Sequence, residues 1–144
     1  MYCHQIQLVR WHDQAAVLRT IRETVFIHEQ QVPVELEWDE FDAVSLHALA
    51  LSPQGKPVGT ARLLPDGHIG RMAVLKEWRG KGFGGAMLLR LLDASKSRGL
   101  KKVMLNAQTP AMRFYAKFGF TVHGEEFMEA GIPHVKMTLQ FFPE

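Results

Sequence analysis

Arg79-Gly80-Lys81-Gly82-Phe83-Gly84-Gly85 is the stretch on which the fold turns. Before it, His68 to Leu75 reads as a strand. After it, a helix is expected from about Gly84 to Arg98, with Met87, Leu88, Leu91 and Leu92 on its apolar face. Lys96 and Arg98 in the last turn and Gly99 beyond supply a C-terminal stop. A glycine turn between a strand and a helix suits an anion, because the first N–H groups of a helix lack internal partners and glycine lets a phosphate approach the main chain. Arg79 and Lys81 add positive charge.

Gly80, Gly82 and Gly85 formally fit a dinucleotide-binding G-x-G-x-x-G. That reading needs an acidic residue about twenty positions on to hold a ribose. None lies between Gly99 and Pro110. The turn also follows a hairpin meander instead of opening a βαβ unit, and no G-K-[ST] follows at the spacing of a P-loop. A nucleotide or phosphopeptide binder is thus the weaker use of this turn.

Outward from the turn, Val58 to Leu64 and His68 to Leu75 read as a hairpin around Pro65-Asp66-Gly67, and Leu46 to Leu51 as a strand closed by Ser52-Pro53-Gln54-Gly55. Asp13 is a plausible N-cap for a helix over Gln14 to Glu29, in which Val17, Leu18, Ile21, Val25 and His28 share a face. Pro33 ends it. Val32 to Asp42 reads as an acidic loop carrying Glu35, Glu37, Asp39, Glu40 and Asp42. On the other side, Lys102 to Ala107 is a short strand, Pro110 opens a helix over Ala111 to Lys117, and Phe120–His123 and Val135–Phe141 close the chain as strands. The expected order is helix, three strands, helix, strand, helix, two strands: an α/β fold with a mixed sheet, since helical crossovers return strands parallel and tight turns make them antiparallel.

The 144 residues suit one domain with its own core, at 47% apolar and 22% charged residues. A formal charge of +2 gives no electrostatic case for nucleic acid. Lys96, Arg98, Lys101 and Lys102 read as a solvated helix end. The single cysteine, Cys3, cannot close an internal disulfide and reads as incidental. No secretory h-region precedes Trp11, and no apolar run approaches the ~20 residues that span a bilayer. A cytoplasmic protein without a membrane partner is expected.

Arg79-x-x-Gly82-x-Gly84 resembles the pyrophosphate-binding motif [RQ]-x-x-G-x-[GA] of the GNAT N-acetyltransferase superfamily. Ala111-x-x-Phe114-Tyr115-x-Lys117-x-Gly119-Phe120 resembles its closing helix and turn. Glu29-Gln30-x-Val32-Pro33 and Gly131-Ile132-Pro133-His134 are similar to a small, single-domain bacterial branch. Lys76 departs from the proline of many relatives. The resemblance covers nearly the whole chain and implies one domain over residues 1–144. It further implies a mostly antiparallel mixed sheet flanked by helices, whose fourth and fifth strands splay apart around Met72–Val74 and Val103–Ala107.

Acetyl-CoA is then the implied cosubstrate, with no metal, and a small-molecule primary amine the acceptor. A homodimer is compatible with the family. The cofactor set implied is Met72, Ala73, Val74, Arg79, Gly80, Lys81, Gly82, Phe83, Gly84, Asn106, Phe114 and Lys117. Unpaired main-chain groups of Met72 and Val74 would meet the pantetheine amides. A main-chain N–H in that segment would stabilise the oxyanion formed when the amine attacks directly, a donor worth roughly 3–4 kcal/mol. Tyr115 aligns with the family's general acid, and a phenol of pKa about 10 can protonate a leaving thiolate. Candidate bases are Glu29, His134, Glu126 and His47. An acyl-CoA sensor without catalysis is the alternative, which Tyr115 argues against.

Gln30, Arg62 and Arg71 are the candidate acceptor contacts. A two- or four-residue loop at Asp66-Gly67 would place Arg62 directly opposite Arg71, and two like charges so placed need an anion between them. That anion is either internal, notably Asp39 or Asp42, or an acid group on the acceptor. A three-residue loop would shift the register and remove this pairing. An acceptor bearing both an amine and an acid group, such as an amino acid or an amino-sugar phosphate, is therefore expected, while the acidic loop pulls the other way, toward cationic polyamines or aminoglycosides.

Overall fold

A computed structural model describes residues 4–33 and 39–141, so Cys3, Glu35 and Glu37 lie outside the described residues. The strands are β1 (Gln5–Arg10), β2 (Leu46–Leu51), β3 (Pro57–Leu63), β4 (His68–Val74), β5 (Lys102–Gln108), β6 (Thr121–Glu129) and β7 (Ile132–Gln140). The helices are α1 (Trp11–Arg22), α2 (Phe83–Ser97) and α3 (Met112–Ala116). The strands form one mixed sheet in the order β1-β2-β3-β4-β5-β7-β6. Every pairing is antiparallel except β4 with β5, the two strands joined through the crossover helix α2.

Alternation along β2 shows how the layers form. Ala48 and Ala50 face a core built with Met87, Leu88 and Leu91 of α2. Leu49, between them, faces a second core with Leu18, Ile21 and Val25 beneath α1. Each sheet face is thus sealed by one helix, and the four apolar positions expected on α2 are all buried.

The structure corrects several boundaries. β1 was absent from the expected order; Gln5–Arg10 pairs along its full length with β2. The first helix starts at Trp11, with Arg10 as N-cap, and Asp13 lies in its first turn. There its carboxylate still meets the positive end of the helix. Past Arg22 the chain widens into a π-helical segment, Glu23–Glu29, ending with Gln30 N–H on Val25 O at 3.0 Å. Such segments are rare and often mark functional sites. Part of the acidic loop is a 3₁₀ turn, Glu40–Val44, started by Asp39 accepting from Phe41 N–H. Phe83, not Gly84, opens α2.

The β3–β4 loop has three residues. Leu64 N–H donates to His68 O, Leu63 faces Ile69, and Arg62 faces Gly70, not Arg71. Beyond that point the register slips by one, so Thr60 faces Ala73. Arg71 takes up the slip with φ +49°, a bulge that bends β4 away from its neighbours. The closing hairpin is longer than expected. It turns at Ala130-Gly131 (φ +50° and +77°), which sets Glu129 against Ile132 and Phe127 against His134.

Candidate functional site

The candidate site consists of a gap between β4 and β5 and two cavities beside it. β4 and β5 pair only through His68–Met104 and Ile69–Leu105, after which β4 has no partner on that side. Leu75 N–H donates to Val58 O, and Thr60 faces Ala73. Leu75 and Ala73 therefore turn their main chain toward β3, and alternation turns Met72 and Val74 toward the gap. Ala73 accordingly gives no main-chain group to the gap; its methyl packs with the α1 core.

Above the gap lies the glycine turn. Gly80 and Gly82 hold φ of +74° and +89°, where a side chain is strained, and Gly82 caps α2. The first ladder bond of α2 runs from Ala86 N–H to Gly82 O at 3.0 Å. The N–H groups of Gly84 and Gly85 lie in the first turn of this helix, ahead of its own ladder. No acidic side chain stands in the first turn to use them. They open on a pocket of about 320 Å³ lined by Val74, Trp78, Arg79, Gly80, Gly82, Phe83, Gly84, Gly85 and Phe114. Nothing lies within 4 Å of a Cβ built on Gly80, and the Phe114 ring is 3.5 Å from one built on Gly84. The helix-end N–H groups of Gly84 and Gly85, a cationic neighbour and an aromatic floor fit a diphosphate.

Two contacts brace this turn that sequence alone did not reveal. His4 Nε2–H donates to Lys81 O at 2.6 Å, with its ring edge-on to Phe83. Arg79 donates from Nε to Val74 O at 2.8 Å, and through both terminal nitrogens to Glu29, at 2.7 and 2.9 Å. The hydrogen bond from Arg79 holds the Glu29 carboxyl below its ordinary pKa, despite some burial. Glu29 thus stands beside the glycine turn as the ionised partner of Arg79 and lines neither of the two cavities.

That second cavity, of about 600 Å³, opens on the other side of the gap. Tyr115 of α3 points its O–H at Met72 Sδ, 3.8 Å away, and burial pushes its pKa up to about 12. Gln30 and Gln108 exchange amide hydrogen bonds at the rim, at 3.0 and 3.4 Å. Arg62 and Arg71 also line the cavity, and the anion between them is Asp39. Its two carboxylate oxygens take Arg62 Nη1 at 2.7 Å and Arg71 Nη2 at 3.3 Å. Asp42 joins Arg62 to the fully buried Arg22. Burial would raise the Asp42 pKa, but hydrogen bonds and charge from Arg22 and Arg62 outweigh it and lower the net value. Both aspartates are therefore engaged internally, and the arginine pair does not require an acid on the acceptor.

Of the candidate bases, only His134 lines this cavity. Its Nδ1–H donates to Ile132 O at 2.7 Å, and its ring stacks on Phe127. A carbonyl can only accept, so Nε2 carries the lone pair of the neutral ring. Nε2 lies 3.5 Å from Glu129 Oε2, and Glu129 Oε1 accepts from Asn106 Nδ2 at 3.2 Å. Asn106, expected at the cofactor, lines this larger cavity beside Glu129. His47 is buried under Trp11, donates Nε2–H to Asp42 O, and has its pKa lowered by burial, so it cannot reach the cavity. Glu126 is exposed on β6 and Lys117 at the end of α3; neither lines a cavity. Among the described residues, no group of three or more His, Cys, Asp or Glu is placed to hold a metal ion.

A diphosphate-sized turn above a two-strand gap with an aromatic hydroxyl at its mouth suits acyl transfer from a thioester. A profile for the acetyltransferase (GNAT) domain matches residues 12–141. The chain belongs to the GNAT family. It is 43% identical over 121 residues to the N-acetyltransferase YjcF of Bacillus subtilis (strain 168), spanning 81% of this chain and 86% of that one. An acyl-CoA N-acyltransferase from Pseudomonas aeruginosa superposes with a TM-score of 0.82 at 29% identity, over 94% of this chain and 98% of that one. Escherichia coli ElaA gives 0.83 at 27%, over 93% and 98%. The GNAT chain described here is accordingly an acyltransferase enzyme, and the family's cosubstrate is an acyl-CoA.

Proposed function

We propose that this GNAT domain, spanning residues 1–144, is an N-acetyltransferase. It moves the acetyl group of acetyl-CoA to the primary amine of a small molecule by direct attack, with no covalent enzyme intermediate. The observation that carries this reading is the early end of β4–β5 pairing, which leaves Met72 and Val74 main-chain groups facing a gap between the two cavities.

In this reading the N–H groups of Gly84 and Gly85 and the side chain of Arg79 hold the diphosphate, with Gly80, Lys81, Gly82 and Phe83 shaping the turn and Phe114 beneath it. Val74 and Met72 receive the pantetheine arm. Met72 N–H donates to the thioester oxygen as negative charge grows there. His134 Nε2 takes the proton that the ammonium must lose, and the freed amine bonds to the carbonyl carbon. As the C–S bond breaks, the attacking nitrogen releases its second proton to solvent, and Tyr115 gives its own proton to sulfur and recovers one from solvent. Its raised pKa keeps the hydroxyl protonated across the physiological range. Gln30, Arg62 and Arg71 frame the acceptor.

A cytoplasmic setting is part of the proposal. No helix among the described residues is long and apolar enough to cross a membrane. The test is calorimetry with CoA followed by thiol release from acetyl-CoA over a panel of amines. Failure to bind CoA would refute the reading, and binding without thiol release for any amine would leave an acyl-CoA-binding module.

A further inference from the structure

The short turn at Ala130-Gly131 has a chemical consequence. It fixes Phe127 opposite His134 on β7, and His134 is opposite Gln108 on β5. With a side-chain period of two, Asn106, Gln108, His134, Phe127 and Glu129 fall on one sheet face across three strands. Glu129 closes this row at the cavity wall.

When the imidazole is neutral, His134 Nε2 and Glu129 Oε2 are two hydrogen-bond acceptors 3.5 Å apart, each with its other atom engaged. Nδ1–H of His134 is held by Ile132 O, and Oε1 of Glu129 is held by Asn106. Two lone pairs so placed repel unless a donor lies between them, and a carboxylate there attracts a cation. A primary ammonium satisfies both, with one N–H to each. The same cavity offers Phe26, Val32, Phe41 and Ile132 as apolar wall for an alkyl stem.

Resting on the acyl-transfer reading, we propose that Glu129, oriented by Asn106, is the acceptor's ammonium-binding residue, and that the acceptors are protonated aliphatic amines, not neutral ones. Glu129 draws the ammonium against His134 Nε2, and when the proton crosses to that nitrogen, Oε2 faces the new N–H of the imidazolium. Charge is conserved: the cation that enters on the substrate leaves on the ring, beside the same carboxylate.

The test uses the full chain saturated with CoA and two isosteric probes, n-butylammonium and n-butanol, in calorimetry. Wild type is expected to bind the ammonium at least about tenfold more tightly than the alcohol, and Glu129→Gln to lose about 10- to 100-fold for the ammonium alone. Glu129→Asp should recover part of it. In turnover, Glu129→Gln raises KM for an aliphatic amine much more than for an arylamine, which arrives neutral; a merely structural residue would affect both alike. Equal binding of both probes, or equal losses in the variant, overturns the proposal while leaving acyl transfer intact. Glu129-dependent ammonium binding with no thiol release for any amine upholds the ammonium site and overturns catalysis.

Discussion

Replacing Glu29 with Gln should tighten CoA binding, although Glu29 touches the residue that would hold the diphosphate. Arg79 is fully committed in the present structure: Nε on Val74 O and both terminal nitrogens on the Glu29 carboxylate. A diphosphate must share or displace that carboxylate, and a pantetheine amide needs the Val74 carbonyl. The pair is 40% and 37% exposed, so solvent screens it and its worth is near the top of the exposed range, about 1 kcal/mol. Removing the competing charge should therefore lower the CoA Kd about three- to fivefold. Isothermal titration in low salt reads this directly, and the difference should shrink as salt rises. Acid provides a second axis. Glu29 is ionised well below its ordinary 4.5, so wild type approaches the variant only as the pH falls through that depressed value. Unchanged or weaker CoA binding by Glu29→Gln would show that Glu29 instead positions Arg79 for the ligand, and would refute the competition.

Three further outcomes are expected. Tyr115→Phe should cut kcat by about 100-fold or more with CoA affinity unchanged, and since its pKa is about 12, an alkaline fall in kcat below pH 10 cannot arise from this hydroxyl; an intact kcat removes it as the acid. Asp42→Asn takes away the carboxylate facing buried Arg22 and Arg62 and should cost about 3 kcal/mol, seen as a Tm lowered by about 6–12 °C. Because the Asp42 pKa is depressed, its stabilisation is complete above the ordinary 3.8 and fades as pH falls through the folded value, so the two melting curves should converge in acid. Gly82→Ala places a Cβ 2.9 Å from the His4 ring at φ +89° and should weaken CoA binding at least about tenfold, at a cost of roughly 1–2 kcal/mol in stability; wild-type affinity by calorimetry would contradict the turn's role.

What the sequence could disclose was whatever its local chemistry encodes. β2 is bounded correctly because a short apolar run ends in a Ser-Pro-Gln-Gly turn, and α2 is found to within one residue at each end because its apolar spacing follows a helical period. The glycine turn was legible for the same reason: left-handed positions need glycine. Each misreading involved a geometry with no compositional mark. Nothing in Glu23–Glu29 distinguishes a π-helical from an α-helical path, yet that widening sets which way Glu29 faces. Glu29 and Arg79 lie fifty residues apart, beyond any local pattern. The three-residue β3–β4 loop sets Arg62 opposite Gly70, so the expected arginine pair is not directly opposed, although Asp39 still lies between the two charges.

The closing hairpin shows most directly how a sound local rule can hide a site. Proline argues against a strand interior, since it has no N–H for the ladder, and the expected last strand starts at Val135, two residues after Pro133. Here β7 begins earlier without violating it. β5 ends at Gln108, which faces His134, so Pro133 lies beyond β5 and meets only Met128 of β6. On the β5 side of Pro133 there is no ladder to interrupt. Two more residues of pairing follow, Met128 with Pro133 and Glu129 with Ile132, and these carry Glu129 to the wall beside His134. A strand begun at Val135 leaves Glu129 in a loop with no fixed relation to the imidazole. The register that proline permits is therefore what turns a carboxylate and a histidine five residues apart into a single acceptor for an ammonium group.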